Sequence, residues 1–402
     1  MFRRLPLTSK RAPPRVEPAT VEARRKAPAV TDVEGCTGLD IATVIHRDGT
    51  VALQEITLLA RPGELLVVLG PSGSGKSTAL RAIAGLVKTS AGRVLIAGQP
   101  TTAEPARRDI AMVFENTKLV PFLDVARNMG FGLEVRHIPK DQAAARVEHQ
   151  ARRLRISRLL SRKAGTISAG ENGQVGIGRA LVRRPKAFLL DEPLAHVDAH
   201  ERARMRRVIA ETVKQAGVST VYVTHDQSDA LAIGDRIAVV NEGRMVQLGT
   251  SSELYHEPVD LFVADFIGPV RIGQLPARVV ASAGMTGYQV GRRTLPTWAP
   301  VPSALAGHVG RDVVLGLRPE DVRIASGDID PDLATLSGTV RSTERNGRDA
   351  FVTIQIDRHR VVARMPGRTD ARIGDTVTVA IDASKAHVFA SETGRALAHP
   401  SH

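Results

Sequence analysis

Hydrophobic residues recur along the chain in short runs that predict strands of a parallel sheet. The run Leu65–Leu69 is continuous and lies between Pro62-Gly63 and Gly70, a pattern typical of a central strand covered on both faces. Runs of the same kind occupy residues 187–190 and 221–223. Between them, apolar residues at helical spacing predict an amphipathic helix that Asp198 caps and Gly217 ends; they are Met205, Val208, Ile209, Val213 and Ala216. Strand, helix and strand in this order predict an α/β fold.

Two other regions of the amino-terminal part have different patterns. Residues 40–56 alternate between apolar and polar positions around Arg47-Asp48-Gly49-Thr50, which predicts two strands joined by a turn. Residues 124–164 predict helices that carry many Lys and Arg residues. We interpret these helices as an inserted subdomain with a solvated charged face.

Beyond Pro269 the pattern becomes that of an all-β domain. Residues 351–356 and 376–381 alternate strictly, and Asn346-Gly347 is typical of a hairpin turn. Short strands separated by turns predict a small barrel or sandwich at the carboxyl-terminal end.

Composition limits the class of protein. A length of 402 residues suggests two or three domains, and contents of 43% hydrophobic and 24% charged residues exclude wholesale disorder and coiled coil. The single cysteine, Cys36, cannot form an internal disulfide, which fits a reducing compartment. No run of about 20 apolar residues could span a membrane, and no apolar segment of the secretory type follows Arg3 and Arg4. We therefore expect neither export nor a membrane crossing.

The positive charge is concentrated at the amino-terminal end. The net charge is +13, and residues 1–30 carry eight Lys or Arg against two Glu, together with five prolines. Such a segment buries too little apolar area to offset the entropy of ordering, so residues 1–36 are predicted to form a disordered basic extension. We interpret it as a solvated tail rather than a nucleic-acid arm, with attraction to anionic lipid as the alternative.

A glycine-rich loop follows the first buried run. It matches the pattern G-x-x-x-x-G-K-[ST] and precedes a predicted helix over residues 78–86. The glycines allow backbone N–H groups to surround phosphate oxygens, the lysine neutralises the outer phosphates, and the last serine offers its hydroxyl to magnesium. The predicted phosphate site consists of Gly70, Pro71, Ser72, Gly73, Ser74, Gly75, Lys76 and Ser77.

Three polar side chains follow the other buried runs. Asp191 ends the run 187–190, where a P-loop protein needs a carboxylate for magnesium, and Glu192 comes next. We interpret Glu192 as the group that polarises the attacking water, the alternative being a structural acidic pair. His225 follows the run 221–223, at the edge where open α/β sheets bind ligands, and is predicted to contact the γ-phosphate or the water.

The order and spacing of these elements resemble the ATP-binding subunits of ABC transporters over residues 40 to about 392. Residues 112–116 stand where that family has its glutamine loop, and residues 167–171 stand at its LSGGQ signature. Residues 197–199 are similar to the D-loop, and residues 223–226 to the switch histidine. Three further segments are similar to the sugar-importer subgroup of the maltose and glycerol-phosphate type; they are 108–114, 262–268 and 317–321.

The resemblance implies a P-loop ATPase of α/β fold with an inserted helical subdomain, followed by an OB-like regulatory β domain. It implies domains at residues 37–270, with the helical subdomain at about 115–176, and at 271–392, followed by a tail at 393–402. It implies ATP and Mg²⁺ as cofactors, with Glu192, His225 and Glu115 as catalytic residues and Ser77, Glu115 and Asp191 at the metal. Further nucleotide contacts are implied for Thr78, Ser168, Gly170, Glu171 and Asp198.

The resemblance also implies partners. ATP would be sandwiched between two ATPase subunits, with Lys76 of one facing Ser168 and Gly170 of the other. The pair would bind two transmembrane permease subunits on the cytoplasmic face of the membrane as a peripheral protein, and an external binding protein would deliver the substrate. No specific nucleic acid is expected as a partner.

Several positions depart from the family pattern. Glu115 and Glu171 replace two glutamines, which predicts charge repulsion near a triphosphate, and Ala169 replaces a glycine. The adenine-stacking aromatic residue is missing; His46 is the ring in its place, and it either stacks on adenine or is an ordinary surface histidine.

These departures leave two functions open. The first is an import ATPase that hydrolyses ATP at a rate lowered by the altered residues. The second is a nucleotide-binding regulatory or partner subunit with little hydrolysis of its own. A soluble ABC protein of translation or DNA repair is a weaker alternative, because there is one P-loop and no long coiled-coil insertion. The second ATPase subunit completes either a homodimer or a heterodimer with a more typical subunit.

Overall fold

The computed structural model describes residues 34–282, 285–325, 334–367 and 369–400. The predicted disordered extension lies outside the described residues as far as residue 33. Its last three residues belong to the compact unit that begins at Glu34, and Cys36 is buried there.

The ATPase part ends at Phe266. Its elements in chain order are β1 (Thr37–Ile45), β2 (Val51–Ala60), β3 (Leu65–Leu69), α1 (Lys76–Ala84), β4 (Ala91–Ile96), β5 (Gln99–Pro100), β6 (Ile110–Val113), α2 (Val125–Glu134), α3 (Lys140–Arg153), α4 (Ala169–Leu181), β7 (Ala187–Asp191), α5 (Ala199–Ala216), β8 (Ser219–Thr224), α6 (Gln227–Ile233), β9 (Arg236–Asn241), β10 (Arg244–Gly249), α7 (Ser251–His256) and α8 (Leu261–Phe266).

The predicted parallel sheet is present. Among the described residues its strand order is β10-β9-β3-β8-β7-β6, parallel throughout except for the antiparallel edge strand β10. All five residues of β3 are buried: Leu65, Val67 and Leu69 pack into one core, and Leu66 and Val68 into another. This two-sided burial explains why the run is continuous rather than alternating.

An antiparallel sheet covers the second core. In the part of the chain described, its order is β2-β1-β4-β5, and α1 packs between it and the parallel sheet. The predicted strand pair and its turn are therefore confirmed. The predicted helix after Asp198 is also present as α5, which ends at Gly217 in the left-handed conformation, although Ala216 is exposed rather than on the buried face.

The helical subdomain packs against the first core. Three helices contribute buried residues to the core on the face of the parallel sheet that carries Leu65, Val67 and Leu69. These residues are Val125, Met129 and Leu133 of α2, Val147 of α3 and Val175 of α4. The helix α4 continues five residues past the predicted limit at 176, to Leu181. Helical spacing of apolar residues thus explains the packing; Arg127 and Arg152 are exposed, whereas Arg153 and Arg179 are half-buried.

The carboxyl-terminal part forms two antiparallel sheets around one core. Its elements are β11 (Gly273–Ser282), β12 (Met285–Val290), β13 (Arg293–Pro300), α9 (Ser303–Ala306), β14 (Asp312–Leu317), β15 (Val322–Ile324), β16 (Ala334–Asn346), β17 (Asp349–Ile356), β18 (His359–Pro366), β19 (Thr376–Ile381), β20 (His387–Ala390) and β21 (Ala396–Ala398). In the described ranges the sheet orders are β13-β12-β11-β14-β20-β21 and β15-β19-β16-β17-β18. The predicted all-β, barrel-like domain is present, and its alternating strands face one shared core.

The predicted tail at 393–402 requires a correction. Residues 396–398 form β21, which pairs with β20. The backbone of Arg395 also forms an isolated antiparallel β-bridge with that of Asp260 in the ATPase part. Three residues are too few for an alternating pattern to reveal a strand, so the sequence could not indicate this one.

Arg318 joins the two parts. It follows β14, is 3% exposed, and donates through Nη1 to the carbonyl oxygens of Ala264 at 2.9 Å and Ile267 at 2.8 Å. Its Nη2 donates to the carbonyl oxygen of Tyr255 at 2.7 Å, and the guanidinium lies 3.9 Å from the centroid of that ring. One side chain of the β domain thus fixes the carboxyl ends of α7 and α8.

Asp321 near this joint should make stability depend on pH. Burial, followed by the charge of Glu320, raises the pKa of Asp321 to about 6. Because the folded state then binds the proton more tightly than the unfolded state, stability from this group is present at pH 4 and lost as the pH rises through 6. Asp321→Asn should therefore raise the free energy of unfolding by about 1–3 kcal/mol at pH 8 and change it little at pH 4.

Denaturant unfolding of both proteins at the two pH values measures this difference. Asp375→Asn, at an exposed carboxyl group of the same domain, is the comparison variant. Equal effects of Asp321→Asn at pH 4 and pH 8 would contradict the prediction.

Candidate functional site

The P-loop joins β3 to α1 at the carboxyl edge of the parallel sheet. Gly75 caps α1 with φ of 100°, and a Cβ at this position would lie 2.6 Å from the carbonyl oxygen of Ala52 and 2.8 Å from Leu53 Cδ2. Only glycine satisfies both the left-handed backbone and this close approach of β2. The loop therefore has the shape that the motif predicts, with the amino end of α1 facing its concave side.

Lys76 lies within the loop rather than in solvent. Its Nζ donates to the carbonyl oxygens of Gly70 and Pro71, both at 2.8 Å, and burial lowers the pKa of this ammonium although Glu192 and Asp191 oppose the shift. Within the described residues the buried hydroxyl of Ser74 has no hydrogen-bond partner. A phosphate chain would supply both groups with acceptors, so the loop fits a nucleotide.

Ser77 and Asp191, which the sequence predicts at the metal, are in direct contact. The Ser77 hydroxyl donates to Asp191 Oδ1 at 3.1 Å. Burial raises the pKa of Asp191, and the charges of Glu192 and Glu115 add to the shift, so three carboxylates lie close enough to interact. No cluster of three or more His, Cys, Asp or Glu among the described residues is placed to hold a metal, so the fit to Mg²⁺ rests on the hard oxygens of Ser77 and Asp191, which a phosphate chain could complete.

Glu192 and His225 are paired across adjacent strands. Nδ1 of His225 lies 2.7 Å from Oε2 of Glu192, and the backbone N–H of Glu192 donates to the carbonyl oxygen of Val223. Glu192 adopts φ of 47°, a left-handed backbone conformation that non-glycine residues hold at a cost and that clusters at functional sites. Since a carboxylate only accepts, the shared hydrogen belongs to Nδ1 of the imidazole.

The signature segment begins α4, and its glutamate has a structural role. Glu171 and Ser168 form a capping box, in which the Ser168 N–H donates to Glu171 Oε2 at 3.0 Å and the Glu171 N–H donates to the Ser168 hydroxyl at 3.2 Å. Oε1 of Glu171 accepts from Arg158 at 2.7 Å. The Ser168 N–H, helped by Arg158, holds the pKa of Glu171 below its ordinary value. The carboxylate is therefore already paired within its own subunit, and its repulsion of a bound triphosphate stays a prediction.

Glu171→Gln should consequently leave folding nearly unchanged. The amide oxygen can still accept from Ser168, and the lost ion pair involves an Arg158 side chain that is 69% exposed, so we expect a loss below about 1 kcal/mol. Urea unfolding measures it, with Ser168→Ala as the comparison, because removal of the cap itself costs about 0.5–2 kcal/mol. A larger loss for Glu171→Gln than for Ser168→Ala would refute this assignment.

The other predicted residues are also placed. Asp198 caps α5 by accepting from the Glu201 N–H, and a Cβ on Gly170 would lie 3.5 Å from the carbonyl oxygen of His196, so the signature and D-loop segments are neighbours. Thr78 lies in the first turn of α1, and Ala169 is exposed at the start of α4. His46 is exposed in the turn between β1 and β2, and its stacking on adenine stays a prediction.

Two arginines of this region were not predicted from the sequence. Arg158 belongs to the charge run that we assigned to a solvated face, and it pairs with Glu171. Arg202 lies four residues after Asp198 and pairs with Asp226, next to His225. The contact between Arg202 and Asp226 has a signal in the sequence. Two arginines four residues apart and two aspartates three residues apart each share one face of a helix, and such faces can pair.

Comparison with known proteins gives matches in both parts of the chain. The family model described as "ABC transporter" matches residues 53–195, and the model described as "TOBE domain" matches residues 315–389. The first range contains the P-loop, Asp191 and Glu192, and the second lies within the β domain.

Similar proteins cover most of the chain. The sn-glycerol-3-phosphate import ATP-binding protein UgpC of Cereibacter sphaeroides is 41% identical over 337 residues, which are 83% of this chain and 92% of that protein. The trehalose/maltose import ATP-binding protein MalK of Thermococcus litoralis is 38% identical over 362 residues, covering 86% and 95%. A solved ATP-binding cassette, a dimer in a post-hydrolysis state with ADP and Pi bound, superposes with a TM-score of 0.50 at 26% identity, covering 53% of this chain and 98% of that one.

Proposed function

The chain belongs to the ATP-binding subunits of ABC transporters, which are ATPases, and we propose that it powers an importer for a sugar or a related polyol. The observation that carries the proposal is the joint placement of Glu192 with His225 and of Ser77 with Asp191 beside the P-loop. The substrate class is supported by the names of the similar proteins, which import sn-glycerol-3-phosphate and trehalose or maltose.

The proposed reaction assigns one role to each side chain. Lys76 and the P-loop N–H groups bind and orient the phosphates, and Ser77 and Asp191, with Glu115, would hold Mg²⁺, which supplies charge neutralisation on the phosphate oxygens. Glu192 accepts a proton from water as the water oxygen attacks the γ-phosphorus and the bond to the β-phosphate oxygen breaks, releasing ADP and phosphate. His225 orients Glu192 through their hydrogen bond.

Exposed aromatic residues support a permease-binding surface on the helical subdomain. Phe122 is 72% exposed, Phe131 is 52% exposed and Phe114, beside Glu115, is 43% exposed. Exposed large apolar side chains can mark interaction sites, and Phe122 and Phe131 belong to the helical subdomain while Phe114 immediately precedes it. We assign this region to two permease subunits, one for each ATPase subunit, on the cytoplasmic face of the membrane; in the described residues, no helix has the length and apolarity needed to cross it.

The remaining partners follow from the same proposal. A second ATPase subunit would bring its Ser168 and Gly170 to the P-loop, and the dimeric form of the solved cassette supports such a pairing. An external binding protein would deliver the substrate, and the β domain would regulate the motor.

Phosphate release by the purified chain tests the proposal. We expect ATP hydrolysis in MgCl₂ that EDTA abolishes, and faster hydrolysis when the chain is reconstituted with the permease subunits in lipid vesicles. Binding of ATP without hydrolysis in both preparations would replace the motor by the regulatory-subunit alternative, in which the altered Glu115 and Ala169 prevent turnover.

A further inference from the structure

The amino-terminal half of α5 and the start of α6 are joined by two arginine–aspartate pairs. Arg202 Nη1 donates to Asp226 Oδ2 at 2.6 Å, and Arg206 Nη1 donates to Asp229 Oδ1 at 3.0 Å. Because the arginines are four residues apart on α5 and the aspartates three apart on α6, both pairs lie on the facing sides of the two helices. The pairs are chemically alike and one helical turn apart.

Arg202 differs from Arg206 in its remaining contacts. Its Nη2 lies 3.5 Å from the carbonyl oxygen of Ala195 and 3.4 Å from that of Val197. Both carbonyls belong to residues 193–198, the loop between Glu192 and α5, which includes Val197 and Asp198 of the D-loop. Each contact is long and individually weak, but one planar guanidinium binds the loop and Asp226 at the same time.

Asp226 is itself held rigidly. Its Oδ1 accepts from the backbone N–H groups of Ser228 at 2.8 Å and Asp229 at 3.2 Å, which caps α6, and its own N–H donates to Thr224 Oγ1 at 3.0 Å. Burial raises the pKa of Asp226, but these hydrogen bonds and the charge of Arg202 outweigh it, so the pKa lies below its ordinary value. Asp226 therefore stays ionised beside Arg202 and immediately follows His225.

We propose that Arg202 is a positioning residue that couples the loop 193–198 to His225. When a second subunit displaces this loop, the guanidinium transmits the displacement to Asp226 and so changes how His225 meets Glu192. The inference rests on the proposed function, because the reaction that Arg202 would influence is ATP hydrolysis. It adds a residue that links the binding of a second subunit to Glu192 and His225.

The test compares Arg202→Met with Arg206→Met. Each variant removes one ion pair between α5 and α6, so both should lower the temperature of unfolding, and Arg206→Met should do so by at least as much because Asp229 is more buried than Asp226. Only Arg202→Met releases the loop, so its kcat should fall about tenfold or more, with KM for ATP within about twofold, since small misplacements of catalytic groups have effects of this size. We expect Arg206→Met to keep kcat within about threefold of the unaltered chain.

Two further variants sharpen the comparison. Arg202→Lys keeps the charge but not the planar fork, so we expect it to restore the unfolding temperature more fully than kcat. Arg207→Met, at an exposed arginine of the same helix, should behave as the unaltered chain in every measurement.

Hydrogen exchange supplies a readout that does not depend on activity. Deuterium uptake in the segment 194–198 should be about tenfold faster in Arg202→Met, while in Arg206→Met this segment should exchange as in the unaltered chain. Equal loss of kcat in the two methionine variants, or unchanged exchange of 194–198 in Arg202→Met, would overturn the inference. Absence of hydrolysis by the unaltered chain would instead overturn the proposed function, and the exchange data would still decide the role of Arg202.

Discussion

Glu192→Gln is expected to lower the rate of ATP hydrolysis by about 10²–10⁴-fold while ATP binding persists. The amide has the shape of the carboxylate but cannot accept a proton from water at neutral pH. It also alters the contact with His225 Nδ1, because a neutral oxygen accepts more weakly than a charged one. The hydrogen bonds of the phosphate-binding groups do not involve Glu192, since Lys76 donates to the P-loop carbonyls and Ser77 to Asp191.

Phosphate release and equilibrium titration with a fluorescent ATP analogue separate the two quantities. Glu211→Gln removes an exposed carboxylate of α5 and should leave both unchanged, which controls for the loss of one negative charge. Hydrolysis by Glu192→Gln at more than a tenth of the unaltered rate would remove Glu192 from the proposed role. Loss of ATP binding would show that the carboxylate acts in binding and not in the chemical step.

The parts of the site that are local in sequence could be predicted from it. The P-loop needs its glycines within eight consecutive residues, and the runs that precede Asp191 and His225 place these side chains at one edge of a parallel sheet. Because the carboxyl ends of parallel strands meet at this edge, strand prediction alone brings Asp191, Glu192 and His225 together.

The contacts of individual charges could not be predicted in the same way. The sequence predicts that Glu171 repels a triphosphate, but it does not reveal that this carboxylate is shared between the cap of α4 and Arg158. A helix surface presents several arginines, and periodicity does not reveal which of them faces an acid on another element. The same reason applies to Arg202, whose partners belong to a loop and to a different helix.

Arg318→Ala is expected to lower the free energy of unfolding by about 3–5 kcal/mol. The substitution removes the donors for the carbonyl oxygens of Ala264, Ile267 and Tyr255. It also leaves a cavity beside the ring of Tyr255, because the guanidinium lies 3.9 Å from the centroid of that ring. Buried carbonyl groups that lose their hydrogen bonds keep the full cost of their desolvation, so the effect should exceed that of any exposed ion pair in the chain.

The loss should be localised at the joint between the ATPase part and the β domain. Because Arg318 holds the carboxyl ends of α7 and α8, its removal should uncouple the unfolding of the two parts, so that one denaturant transition becomes two. Tryptophan fluorescence reports the β domain through Trp298, the single tryptophan of the chain, and circular dichroism reports the helices of the ATPase part. Arg323→Ala, at an exposed arginine five residues away, should leave one transition with an unchanged midpoint. Coincident transitions of undiminished stability in Arg318→Ala would show that other contacts between the two parts suffice to join them.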